Sequence, residues 1–147
     1  MIRVRKAEDS DHDGWIRMRK LLFPECSEDR HIYEIGLIRS SQGIVLVAEL
    51  SPSHLVGFAE VSIRSDHVEG SKNSPVPYLE GWYVDPEFRG KGIGKALIKA
   101  AEGYALEKGF TALASDAEIG NKTSIQIHKK IGFREVGRSV HFIKSLY

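Results

Sequence analysis

A short apolar run, a proline exit and three glycines at the start of a helix constrain this chain more than any other feature. Tyr78 to Val84 is rich in aromatic and β-branched residues and fits a pleated, largely buried strand. Asp85-Pro86 ends it, because proline has no N–H for the ladder and drives the residue before it towards extended geometry. Arg89-Gly90-Lys91-Gly92-Ile93-Gly94 follows, and the pattern then turns helical. Ile93, Leu97, Ala100 and Tyr104 recur at helical spacing, and Lys108-Gly109 closes the helix. A glycine-rich turn at a helix start presents free backbone N–H groups and the positive end of the helix dipole, which makes an anion site suited to phosphate. The spacing excludes two familiar phosphate loops. A Walker loop needs four residues between its glycine and Gly-Lys-Ser/Thr, and the chain has no such run. A dinucleotide fingerprint needs glycine or alanine three residues after its second glycine. Here Gly90 and Gly92 lead to Lys95, and Gly92 and Gly94 lead to Leu97.

Ile2 and Val4 alternate with Arg3 and Arg5, predicting a first strand. Asp9, Ser10 and Asp11 are cap residues for a helix with Trp15, Met18 and Leu22 on one side, which Phe23-Pro24 interrupts. Ser27 caps a second helix that turns Ile32, Ile35 and Ile38 inward. Ile44 to Glu49 and Leu55 to Arg64 read as antiparallel strands around the turn at Ser51 to His54. The polar segment from Ser65 to Pro77 is long for a hairpin loop, which marks it as a functional candidate. After the central strand and helix come a strand over Thr111 to Asp116 and a helix capped by Asn121. That helix turns Ile125, His128 and Ile131 inward and ends at Gly132. Strands over 133–138 and 139–143 complete the pattern. The class is α/β, with a mixed, mostly antiparallel sheet flanked by helices in one domain spanning 1–147. At 147 residues and 41% hydrophobic, the chain can supply one core. A net charge of +1 gives no basis for nucleic-acid or anionic-membrane binding, and no apolar run approaches the ~20 residues of a membrane span. The start of the chain does not read as a signal peptide, and Cys26 is the single cysteine. No disulfide, cysteine-rich metal site or other metal is therefore expected, and a cytoplasmic location is.

Arg-x-x-Gly-x-Gly after a strand with a Val-Asp-Pro exit resembles the pyrophosphate loop of the Gcn5-related N-acetyltransferases, whose donor is acetyl-CoA. The element order resembles that family from end to end. Within it, four stretches are similar to the aminoglycoside 6′-N-acetyltransferases: Arg19 to Pro24, Ser62 to Gly70, Ser74 to Gly81, and Ala114 to Asp116 with Asn121 to Ser124. The resemblance implies a small polycationic amine as acceptor and a homodimer in which C-terminal strands meet. It also implies that the pantetheine arm pairs with the central strand near Tyr83 and Val84, where a backbone N–H faces the thioester oxygen. Residues Arg89, Gly90, Lys91, Gly92, Ile93 and Gly94 would hold the pyrophosphate, and Asn121 would touch the cofactor besides capping its helix.

Acetyl transfer needs a held donor, a polarised carbonyl, a neutral amine and a proton for the leaving thiolate. Glu80 and Asp116 are the candidates for holding and deprotonating the amine, since carboxylates at inward strand positions are rarely left without a partner. The plain alternative for Glu80 is a pair with an arginine such as Arg64 across the sheet. Phe23 and His67 join the two acids in the acceptor pocket that the resemblance implies. There the family commonly has tryptophan and tyrosine instead, and an acid where Gly137 stands. Either His128 or one of Tyr83, Tyr104 and Tyr147 is left to protonate the thiolate. A polyamine or peptide acetyltransferase and a non-catalytic acyl-CoA sensor are the competing functions.

Overall fold

The computed structural model describes residues 2–147, which fall into two compact units divided between Asp116 and Ala117. The first unit contains β1 (Arg3–Lys6), α1 (His12–Leu22), α2 (Glu28–Ser40), β2 (Ile44–Ser51), β3 (His54–Arg64), β4 (Val76–Val84), α3 (Ile93–Glu107) and β5 (Ala114–Ser115). Its five strands lie in the order β1-β2-β3-β4-β5. The first three pairings are antiparallel and β4–β5 is parallel, the mixed sheet expected from the sequence.

Alternation along β3 assigns the helices to faces. Phe58 joins Trp15 and Met18 of α1 and Ile35 and Ile38 of α2 in one apolar cluster with Val45, Val47 and Tyr83. Its neighbour Gly57 must point the other way. There a Cβ would stand 3.3 Å from the Leu97 side chain of α3, so α3 covers the opposite face. The α3 stripe is rotated from the expected one. Ile93, Leu97, Ile98, Ala101 and Ala105 are buried, and Ala100 and Tyr104 flank them, because Ile98 supplies more apolar surface than Ala100. In α2, His31 takes the inward position expected for Ile32, which is 56% exposed. Ser27 caps α2 as predicted, its hydroxyl accepting from Arg30 N. Asp11 does not cap α1 through its side chain. It is bound instead by both terminal nitrogens of Arg5, at 2.7 and 2.9 Å, and by the Glu8 amide.

Under the first face lies a buried polar node. Arg19, 1% exposed, donates to Glu60, Glu34 and His31 Nδ1, and the Trp15 indole donates to the second Glu60 oxygen at 2.9 Å. The Arg19 guanidinium also lies over the Phe23 ring, 5.1 Å from its centroid. One cation thus ties α1 to β3 and α2 and holds the turn between the helices. Cys26, His31 and Glu34 bring ligand atoms within 4.8 Å of one another, but Arg19 already supplies the positive charge there.

In the second unit α4 (Lys122–Lys130) is capped by Asn121, whose Oδ1 accepts from Ser124 N at 3.0 Å, and Gly132 at φ +107° ends it. Ile125, His128 and Ile131, expected inward, are only half-buried, as is Ser124, and no residue of α4 is buried. The two strands expected over 133–143 are not formed. A strand requires a partner for its N–H and C=O groups, and no ladder partner for this segment occurs among the described residues. The strand expected over Thr111 to Asp116 is shortened to Ala114–Ser115. No helix is long and apolar enough to cross a membrane.

Candidate active site

Three features of the sheet converge at β4. The first is the glycine loop. Gly90 and Gly92 have φ of +78° and +86°, a left-handed geometry that favours glycine, and both face open space. Gly94 is needed for a different reason: a Cβ there would stand 3.3 Å from the Trp82 ring, whose Nε1 donates to the Gly94 carbonyl at 3.1 Å. Trp82 therefore seats the first turn of α3 against β4 and aims its N-terminus across the strand exit. Arg89 Nε donates to the Val84 carbonyl at 2.6 Å, and Lys91 lies over Phe88, so both cations are gathered at the loop. A cavity of about 360 Å³ beside the loop is lined by Ile2, Val4, Leu50, Phe88, Lys91, Gly92, Ile93 and Ala96. Its walls are mostly apolar, and neither Glu80 nor Asp116 lines it.

The second feature is an open strand edge. On the β3 side, β4 is paired along its length, with Tyr83 opposite Phe58 and Val84 opposite Gly57. On the β5 side it is paired only at Tyr78 and Leu79. Beyond Leu79 no strand among the described residues pairs with that edge of β4, so its backbone groups can take an added extended chain.

The third feature is a pair of acids, Glu80 set by a bulge in β4 and Asp116 at the end of β5. Glu60 lies opposite Gly81 and Val61 opposite Leu79, so Glu80 is the extra residue of β4. Gly81 abuts the Glu60 side chain, where a Cβ would meet an oxygen at 2.7 Å. The extra residue leaves Glu80 on that same face, bonded to β3 residues that alternate with Glu60. Arg64 Nε and Nη2 donate to its two oxygens at 2.8 and 2.7 Å, and the Ser62 hydroxyl donates to one of them. The Arg64 guanidinium stacks 3.5 Å from the centroid of Tyr78, whose hydroxyl donates to Asp116 Oδ2. Burial and the bond to Asp116 push the Tyr78 phenol well above its usual range, so it remains a donor. Asp116 itself is exposed at the end of β5.

Glu80 and Asp116 are thus joined through Arg64 and Tyr78. The arginine pair weighed for Glu80 is present, but it links the two acids and does not set Glu80 apart. No sequence motif marks Ser62, Arg64 and Tyr78 as site residues. The available signal was their alternation, since Ser62 and Arg64 on β3 share one face with Tyr78 and Glu80 on β4. Phe23 and His67 do not belong to this chain of contacts. Phe23 sits under Arg19, and His67 is exposed with Glu69 Oε2 at 3.2 Å. Among the candidate acids for the thiolate, the Tyr104 hydroxyl donates to the Gln42 carbonyl at 2.8 Å. Burial and a bond to Asp85 push the Tyr83 phenol up. In the second unit, His128 Nδ1 lies 2.7 Å from the Ser124 carbonyl, and its ring meets Phe133 edge-on.

A left-handed glycine loop at a helix start, beside an open strand edge and two acids, is the layout of a transferase that holds a phosphorylated donor across the edge of its sheet. Residues 12–133 match the acetyltransferase (GNAT) family, and the chain belongs to that family. Among its relatives is an aminoglycoside N(6′)-acetyltransferase type 1 from Klebsiella aerogenes, 39% identical, with 97% of this chain and 96% of that one covered. Another is the enzyme of the same name from Stenotrophomonas maltophilia, 35% identical over 95% and 90% of the two chains. The solved structure of AAC(6′)-Iy with the bisubstrate analogue CoA-S-monomethyl-acetylneamine superposes with a TM-score of 0.88 at 32% identity, covering 99% of each chain. AAC(6′)-Ih from Acinetobacter baumannii gives 0.87 at 34% identity over the whole of both chains.

Proposed function

We propose that this acetyltransferase moves the acetyl group of acetyl-CoA to the 6′-amine of an aminoglycoside. The observation that carries the reading is likeness to the 6′-N-acetyltransferases at 32–39% identity over nearly the full chain, acceptor-side strands included. The loop amides from Arg89 to Gly94 take the pyrophosphate, and the pantetheine arm lies along the open edge of β4. A backbone N–H at Tyr83 or Val84 meets the thioester oxygen as charge develops there. Glu80 and Asp116 attract the ammonium, and Asp116 accepts its proton through a water. The neutral nitrogen then attacks the carbonyl carbon, the N–C bond forms, the C–S bond breaks, and the thiolate leaves, taking up a proton as the acetylated nitrogen loses one. A thiol-release assay across kanamycin, tobramycin, spermidine and a peptide N-terminus tests the acceptor. The aminoglycosides are expected to turn over fastest, with NMR placing the acetyl group on the 6′-nitrogen. Faster turnover of spermidine or the peptide would replace this acceptor with that one.

The donor half has its own test. Aspartate tolerates a left-handed backbone better than most residues, so Gly92→Asp strains the loop less than most substitutions would while adding a negative charge where phosphate binds. Acetyl-CoA affinity should fall by at least ~2 kcal/mol, roughly 30-fold in Kd, and unchanged binding by calorimetry would remove the loop assignment.

The active form is a homodimer. Phe142 and Ile143 are 92% and 100% exposed in an apolar segment that belongs to no helix or strand and has no ladder partner among the described residues. Sedimentation at micromolar concentration should give twice the 16.5 kDa chain mass, and a clean monomer mass would overturn this. The reaction is placed in the cytoplasm, in keeping with a lone, unpaired cysteine.

A further inference from the structure

The acceptor site carries its own cation. Glu80 has about four lone-pair positions on its two oxygens, and three donors already occupy them, two from Arg64 and one from Ser62. Arg64 is held on its other side by the Tyr78 ring, and its side chain is 33% exposed against 25% for Glu80. An incoming ammonium therefore meets a Glu80 whose charge is matched by a bidentate guanidinium, the geometry that arginine forms best with a carboxylate. Asp116 accepts from the neutral Tyr78 hydroxyl and is exposed. The two acids are thus unequal: one is charge-matched and the other open.

We propose that Arg64 is a specificity-determining residue, a resident cation that occupies Glu80 and holds down the site's attraction for highly charged acceptors. The inference rests on the reading of Glu80 and Asp116 as the acceptor site. The acceptor's first ammonium docks at Asp116, and each further ammonium works against the Arg64 charge. How well an amine is used then depends on how many charges it brings near the stacked guanidinium. Tyr78 acts as the platform that keeps Arg64 from swinging out, and its hydroxyl fixes the Asp116 carboxylate at the docking point.

The test is Arg64→Gln, which retains hydrogen bonding to Glu80 without the charge, with Arg64→Lys as the charge-retaining control. Steady-state acetylation is measured with tobramycin, spermidine and a simple monoamine at low and high salt. Removing one like charge a few ångströms from the bound ammonium groups should lower the tobramycin KM about 5- to 10-fold at ~20 mM salt. The gain should shrink to about 2-fold at ~300 mM salt as screening sets in. It should be smaller for spermidine and under ~2-fold for the monoamine, with kcat changed less than about 3-fold throughout. Arg64→Lys should stay within about 2-fold of the parent KM for every acceptor, since it retains the charge. An unchanged or raised tobramycin KM in Arg64→Gln overturns the proposal, as does a gain that is equal for all acceptors. Glu80→Gln separates this from the reading beneath it. If Glu80→Gln raises the tobramycin KM while Arg64→Gln does not lower it, the resident-cation role alone has failed. If Glu80→Gln leaves acceptor kinetics untouched, the acceptor site itself lies elsewhere.

Discussion

Asp116→Asn is expected to cut turnover by roughly 10²–10³-fold, the usual contribution of a positioned general base, with the acetyl-CoA Kd unchanged. Asparagine retains size and still accepts from the Tyr78 hydroxyl, so the link that now holds Asp116 in place survives. What is lost is the negative charge and the ability to take the amine's proton. Donor binding is spared because the glycine loop and the open edge of β4 are untouched. Glu80→Gln should act differently: its effect on acceptor KM should be at least as large as that on kcat, because it leaves the Arg64 charge unmatched beside the bound ammonium groups. The double variant should cost less than the sum of the two, since both acids act on one amine and are joined through Arg64. A purely structural role forecasts the reverse, a lowered melting temperature with normal kinetics in the folded fraction. Measuring melting temperature and steady-state rates on the same samples decides between them. If Asp116→Asn melts early and keeps its turnover, the proton is taken elsewhere.

Local pattern was legible where local chemistry decides the structure. The cap at Ser27, the cap at Asn121 and the left-handed stops at Gly109 and Gly132 depend on residues within one turn, and each appears where the sequence places it. The glycine loop was legible for the same reason. The sequence names the two acids by position but not their surroundings, because the contacts between them cross three strands. Arg64 could be read as a partner of Glu80, whereas the Tyr78 link to Asp116 depends on the β4–β5 register and on a bulge that no local motif announces. The C-terminal strands failed for the complementary reason. The run from Ser139 to Ile143 carries strand propensity at Val140, Phe142 and Ile143, but a strand exists only with a partner, and pattern says nothing about where that partner lies. The inward turn of His31 in place of Ile32 has a nonlocal cause as well. Arg19, twelve residues earlier, donates to the His31 ring, and a 3.6-residue count cannot register that bond.

Arg19→Met is expected to be among the most destabilising single changes in the chain, costing about 3–5 kcal/mol, because it removes the cation and leaves Glu60 buried beside it. In the parent, burial pushes the Glu60 carboxyl up, and the Arg19 charge and the bonds from Arg19 and Trp15 hold it back. Without Arg19 the upward push is largely unopposed, so Glu60 takes up a proton in the folded state at a pH where the unfolded chain would not. The sign of the pH dependence follows. A group whose folded pKa is raised costs least below its unfolded pKa, and stability is lost as pH rises towards the folded value, at up to about 1.4 kcal/mol per pH unit. Relative to the parent, Arg19→Met should therefore be closest in melting temperature at pH 5 and fall furthest behind by pH 8. Glu34, which is 32% exposed, can return to water and should add little to that slope. Adding Glu60→Gln should recover most of the loss and flatten the pH dependence, since glutamine carries no charge and can still accept from the Trp15 indole. A pH-independent loss, or one that Glu60→Gln does not relieve, would mean that Arg19 stabilises the fold by packing and not by meeting the buried charge.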